Sequence, residues 1–75
     1  MKPKTLDDLR TDLASNLKSI RLAKGIAQER LAFDAGVDRT VVSKIERGVT
    51  NPSLDVLLRL SNNLGIEVSD LLKSS

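Results

Sequence analysis

The chain has 75 residues, of which 40% are hydrophobic and 29% charged, with a formal net charge of +2. A chain this short buries only about 60% of the surface its unfolded form exposes, so one thin-cored domain with a binding surface is expected rather than a deep substrate pocket. His, Cys, Trp and Tyr are absent and the ten carboxylates are scattered, which excludes disulfides, zinc sites and Ser-His or Cys-His nucleophiles, argues against an enzyme, and leaves no cofactor, metal or small-molecule ligand in prospect.

Neither the opening Met1-Lys2-Pro3-Lys4 nor the rest of the chain contains an apolar run suited to a signal peptide or a membrane span, so a cytoplasmic protein is expected. Leu6, Leu9, Leu13, Leu17 and Ile20 recur at spacings of three and four, which lines them along one face of a first helix. Thr5 with Asp8 has the pattern of a capping box, and Thr11 is a second candidate cap. The helix therefore begins at Leu6 or at Asp12, and it runs to Lys24, with Lys18, Arg21 and Lys24 near the end where the macrodipole favours cations. A single domain over 1–75 is expected, with its core at 12–73 and residues 1–11 either extending the first helix or forming an arm.

Gly25, Gly36, Gly48 and Gly65 each follow a helical stretch and are predicted to stop it. A second helix is predicted from Gln28 to Ala35 with Leu31, Ala32 and Ala35 inward, and a third over Arg39–Arg47, capped by Asp38, with Val42 and Ile45 inward. Val49 to Pro52 is a loop. Ser53 caps a fourth helix carrying Leu54, Leu57, Leu60 and Leu64, and Val68–Lys73 forms a short fifth helix presenting Leu71 and Leu72. No strand pattern, repeat or low-complexity tract occurs, so the fold class is all-α.

Charge is uneven along this plan: residues 18–47 carry seven bases (Lys18, Arg21, Lys24, Arg30, Arg39, Lys44, Arg47) against four acids (Glu29, Asp34, Asp38, Glu46). Within that stretch, two helices crossing steeply over a tight turn need a methyl-sized side chain at closest approach, which Ala32 supplies. They also need a residue free to take positive φ at the corner, which is Gly36. Val37, Val42 and Ile45 plug the angle. These requirements together describe a helix-turn-helix, and they leave Arg39, Thr40, Ser43, Lys44 and Arg47 on the outer face of the second helix of the pair. Arg and Lys suit guanine O6 and N7, and Thr suits a thymine methyl, in a DNA major groove. A solvated amphipathic face is the alternative reading of the same residues.

Taken together, these segments resemble the lambda-repressor-like helix-turn-helix of phage repressors, Cro and Xre-type bacterial regulators. The resemblance spans about residues 13–72: Ile20-Arg21-Leu22-Ala23-Lys24-Gly25, Gln28-Glu29-Arg30-Leu31-Ala32, Ala35-Gly36-Val37, Val42-Ser43-Lys44-Ile45-Glu46-Arg47-Gly48, Asn51-Pro52-Ser53-Leu54 and Leu64-Gly65-Ile66. It implies a five-helix bundle that binds double-stranded DNA as a homodimer, its third helix in the major groove of a palindromic operator, and acts as a transcriptional regulator. Carried over by position, the base-reading residues are Arg39, Thr40, Ser43 and Lys44, with an exposed Val41 as a further apolar contact. Gln28, Arg47, Thr50 and Asn51 contact phosphate, and Gln28 also braces the reading helix. Arg21 and Glu46 match a pair that forms an internal salt bridge. RNA polymerase is a further partner in this reading.

Two positions depart from the family pattern. Ala27 stands where Ser or Thr usually caps the second helix, and Val41 where some close relatives have an aromatic. The Leu31-Ala32-Phe33 and Asp38-Arg39-Thr40 runs look most like the controller proteins of restriction–modification systems. The fourth helix and the last segment are expected to form the dimer contact, because Leu54, Val56, Leu57, Leu58, Leu60, Leu64, Ile66, Val68, Leu71 and Leu72 exceed what a thin core covers. Leu6 and Leu9 either pack on the body or form a second self-association patch. An antitoxin or other protein-interaction module, or the DNA-binding domain of a larger regulator, are the competing readings.

Overall fold

A computed structural model describes residues 3–75; Met1 and Lys2, the start of the expected extension, lie outside the described residues. Five helices follow one another: α1 Leu6–Ala23, α2 Gln28–Ala35, α3 Arg39–Glu46, α4 Leu54–Leu64 and α5 Val68–Leu72. There is no strand among the described residues.

The first helix starts at the earlier of its two candidate positions. Thr5 Oγ1 accepts from the Asp8 backbone N–H at 3.1 Å while Asp8 Oδ2 accepts from the Thr5 N–H at 3.0 Å, a reciprocal capping box. Thr11 lies inside the helix. Asp38 and Ser53 cap α3 and α4 by accepting from Thr40 N–H and Val56 N–H. The helices end slightly earlier than expected, with Lys24, Arg47 and Lys73 as C-caps instead of helical residues. All four glycines take positive φ. At Gly36 (φ +71°) the Val37 N–H reaches back to the Ala32 carbonyl at 3.0 Å, closing α2 and turning the chain directly into α3.

One core joins the helices: Leu13 and Leu17 of α1, Leu31, Ala32 and Ala35 of α2, Val42 and Ile45 of α3, Leu57, Leu60 and Leu64 of α4, and Leu71 of α5. α1 packs on α3 and α5, and α4 on α2 and α5, so α2 and α3 are held from two sides. Ala32 is fully buried where α2 meets α3.

Not every residue of the apolar stripes is covered. Leu6 and Leu54 are 54% and 76% exposed, and Ile20 and Leu72 are only half-buried. Leu6 and Leu54 occupy the first position of their helices, where the neighbouring elements have not yet closed over the apolar face. Leu57, Leu60, Leu64 and Leu71 fill the monomer core instead of waiting for a partner, and Val56, Ile66, Val68 and Leu72 pack against it. Of the ten residues assigned to a dimer contact, only Leu54 and Leu58 remain exposed. Leu6 and Leu9 line an open apolar groove of about 180 Å³ with Leu13, Pro52, Leu57 and Leu72, so the first turns of α1 lie against the body.

Candidate nucleic-acid interface

The α3 helix has one apolar and one polar side. Val42 and Ile45 are 0% and 1% exposed and carry its core contacts, while Arg39, Thr40, Lys44 and Arg47 are exposed on the other side. Ser43 is half-buried between them. Among the described residues no carboxylate lies within ion-pairing distance of Arg39, Lys44 or Arg47. Arg47, the C-cap of α3, makes only a long Nε contact, 3.4 Å, to the Ser43 carbonyl of the last turn.

The N-terminus of α3 is locked by Asp38. Its Oδ1 accepts from both the Thr40 hydroxyl at 2.7 Å and the Thr40 N–H at 2.8 Å. These two bonds, with help from the nearby Lys44 and Arg39 charges, hold the Asp38 carboxyl below its ordinary range. Thr40 has thus given its hydroxyl proton to the cap, and what it can present outward is a lone pair and a methyl group. Val41 is not the exposed residue expected; it is half-buried and packs against the core, because α3 leans on its neighbours on that side.

Behind α3 sits a polar brace. Arg21 of α1 makes two parallel hydrogen bonds to Glu46, Nε to Oε2 at 2.7 Å and Nη2 to Oε1 at 2.9 Å, and Nη1 donates to the Ile26 carbonyl at 2.8 Å. Gln28 Nε2 donates to the same Glu46 Oε1 at 3.0 Å, tying the start of α2 into the pair. Burial on its own would raise the Glu46 carboxyl, yet the hydrogen bonds from Arg21 and Gln28 outweigh it and hold the carboxyl below its usual value. The hydrogen bond to Glu46 raises Arg21 further. This brace fixes α3 to α1 and α2 without using any atom on its outer face.

The remaining assigned residues lie in the loop after α3. Thr50 is half-buried and lines the groove beside α1, and Asn51 is exposed. Asn51 is not isolated: its Oδ1 accepts from Arg10 Nε at 2.7 Å. Sequence spacing gives no sign of Arg10, since a contact 41 residues distant leaves no local mark.

A short two-helix corner with a buried Ala32, a left-handed Gly36 and a basic outer helix defines a helix-turn-helix protein, and a helix-turn-helix family profile matches residues 17–71. The chain belongs to that family, among transcriptional regulators and not enzymes. It is 40% identical over 67 residues to the control protein C.BamHI of Bacillus amyloliquefaciens, covering 88% of this chain and 83% of that one. The crystal structure of a hypothetical transcription factor from Neisseria superposes with a TM-score of 0.86 at 36% identity, covering 99% of this chain and 85% of that one. The restriction-modification controller protein C.AhdI of Aeromonas hydrophila superposes at 0.79 with 42% identity, covering 83% and 94%. No helix among the described residues is long and apolar enough to cross a membrane.

Proposed function

We propose that this chain is a sequence-specific double-stranded DNA-binding transcriptional regulator of the restriction–modification controller type, acting as a homodimer on a palindromic operator. The observation that carries the reading is the outer face of α3: Arg39 and Lys44 stand exposed without a carboxylate partner among the described residues, while Val41, Val42, Ile45 and the Arg21–Glu46–Gln28 brace hold the helix to the body. Asp38 is near enough for both charges to act on it but ion-pairs with neither, so each cation keeps its N–H donors for a base edge.

In this reading Arg39, Thr40, Ser43 and Lys44 meet base edges, with Val41 restricted to its exposed edge, and Gln28, Arg47, Thr50 and Asn51 meet phosphates. Gln28 keeps an amide hydrogen beyond the one it gives Glu46. Leu54 and Leu58, one turn apart on α4 and exposed, are the apolar contact to the second copy. Residues 1–75 act as one cytoplasmic domain, and regulation runs through protein concentration, since dimerisation and operator binding are coupled by mass action. The position of the operator decides whether the bound dimer excludes RNA polymerase or contacts it.

Selection of the purified protein against random duplex DNA at physiological salt tests this. An enriched inverted repeat with half-sites about one helical turn apart is the expected result. Weak binding with no enriched site overturns it.

A further inference from the structure

The Arg10–Asn51 bond joins the extended start of α1 to the loop that follows α3. A guanidinium carries only donors, so the Asn51 atom facing Arg10 is necessarily its carbonyl oxygen, and the orientation of the amide is chemically fixed. Arg10 is itself held from the other side, Nη1 donating to Asp7 Oδ1 at 2.6 Å one turn earlier on the helix. Its side chain is 28% exposed, and Arg10 lines the apolar groove together with Leu9 and Pro52. Loop, arginine and first turn form one relay.

We propose that Arg10 is a positioning residue for DNA binding, holding Asn51 by its carbonyl oxygen so that the amide N–H₂ is presented as a donor to a phosphate. This rests on the DNA-binding reading above and deepens it. The Asn51 Nδ2 hydrogens have no acceptor among the described residues, whereas Oδ1 is occupied. A cation on the carbonyl oxygen also draws electron density from the amide, which strengthens its N–H groups as donors. A free asparagine on a loop would lose rotamer entropy on meeting a phosphate; one already clamped loses less. The first turns of α1 therefore set the loop's geometry without touching DNA themselves.

The test is a double-mutant cycle on the full chain: wild type, Arg10→Met, Asn51→Ala and the double variant, each titrated with the best duplex and with an unrelated duplex over a range of salt, with thermal stability measured alongside. Met keeps the stem in the groove. Each single change is expected to weaken both duplexes about 3- to 10-fold, the double variant to be no weaker than the poorer single, and Arg10→Lys to recover part of the loss. The salt slope stays unchanged on Arg10→Met. Multiplying effects with a slope smaller by about 0.9 make Arg10 a phosphate contact in its own right, and a fall in melting temperature with unchanged affinity makes it purely structural; either result overturns the proposal. If wild type binds no duplex, the DNA reading falls and this falls with it, whereas failure of the cycle alone leaves that reading standing.

Discussion

Arg21 and Glu46, 25 residues apart, lie side by side through two hydrogen bonds of 2.7 and 2.9 Å, with side chains only 9% and 4% exposed. The pair crosses from the last turn of α1 to the last residue of α3. It therefore sets the angle at which the outer face of α3 meets solvent. Removing one partner strands the other as a buried charge, so Glu46→Ala should lower unfolding free energy by about 3–5 kcal/mol. An apolar pair at both sites should be much less damaging, because no charge is then left unpaired. Urea denaturation of the single and double variants checks this, and equal losses in both would contradict it.

The same carboxyl makes stability depend on pH. Despite the burial that opposes it, Glu46 sits below its ordinary value of 4.5 because Arg21 and Gln28 donate to it. Its contribution is complete above pH 4.5 and is lost as pH falls through the lower folded value, since the unfolded chain binds that proton first. Asp12, through its hydrogen bond from Lys4, and Asp38, through Thr40, are displaced in the same direction. The urea midpoint should be flat from neutrality down to about this range and fall below it. Glu46→Gln should flatten the acid limb, and an unchanged limb would assign it to Asp12 and Asp38 instead.

Arg39 is exposed at the first turn of α3 and takes no part in the core. Arg39→Ala should cost roughly 1–3 kcal/mol on the best operator and relax preference at one base pair, while unfolding free energy stays within about 0.5 kcal/mol. Quantitative binding to a set of single-base operator variants checks both halves. Unaltered site preference would remove α3 as the reading helix.

Much of the helix-turn-helix was legible because its requirements are local. Asp38, Gly36 and Ala32 each answer a steric or capping demand within a few residues, and all three do so in the structure. The start of α1 is open in the sequence because Thr5 and Thr11 both precede helical stretches; the reciprocal bonds between Thr5 and Asp8 decide it. Leu54 shows a different limit, since spacing finds the stripe but not where a neighbouring helix ceases to cover it. At the site, the brace could be carried over as a pair, whereas the Asn51 clamp could not, because Arg10 lies beside the leucine stripe and looks like any solvated base.

Ala27 offers a gain in stability. It takes the extended N-cap conformation of α2, φ −72° and ψ 152°, yet it makes no side-chain bond to the first turn. Ala27→Ser places a hydroxyl where it can accept from a free N–H without altering the backbone, and should stabilise by about 1 kcal/mol. A domain of this size then melts roughly 4–8 °C higher. A calorimetric scan in which the midpoint does not rise would mean that water already satisfies that turn fully.

Asn16 is the least expected residue of the core. It falls on the α1 stripe between Leu13 and Leu17 and is 8% exposed, where spacing alone would place a leucine. Its Nδ2 donates to the Leu71 carbonyl at 2.9 Å and the Lys73 carbonyl at 2.8 Å, so it satisfies the C-terminal end of α5 from a position 55 residues away in the first helix. A helix of five residues cannot hold itself together. It persists because Leu71 is buried and because Asn16 takes up carbonyls that have no partner of their own. Asn16→Leu should therefore be destabilising despite its greater hydrophobicity, by about 1–3 kcal/mol, chiefly for the buried Leu71 carbonyl left unpaired. The loss should also be local. Amide exchange at Leu72 and Lys73 should accelerate well before that of α2 and α3, which are held by the core and by the Arg21–Glu46–Gln28 brace, neither of which includes Asn16. Uniform acceleration across all five helices would show instead that α5 unfolds only with the whole domain, and that its carbonyl clamp is part of global stability.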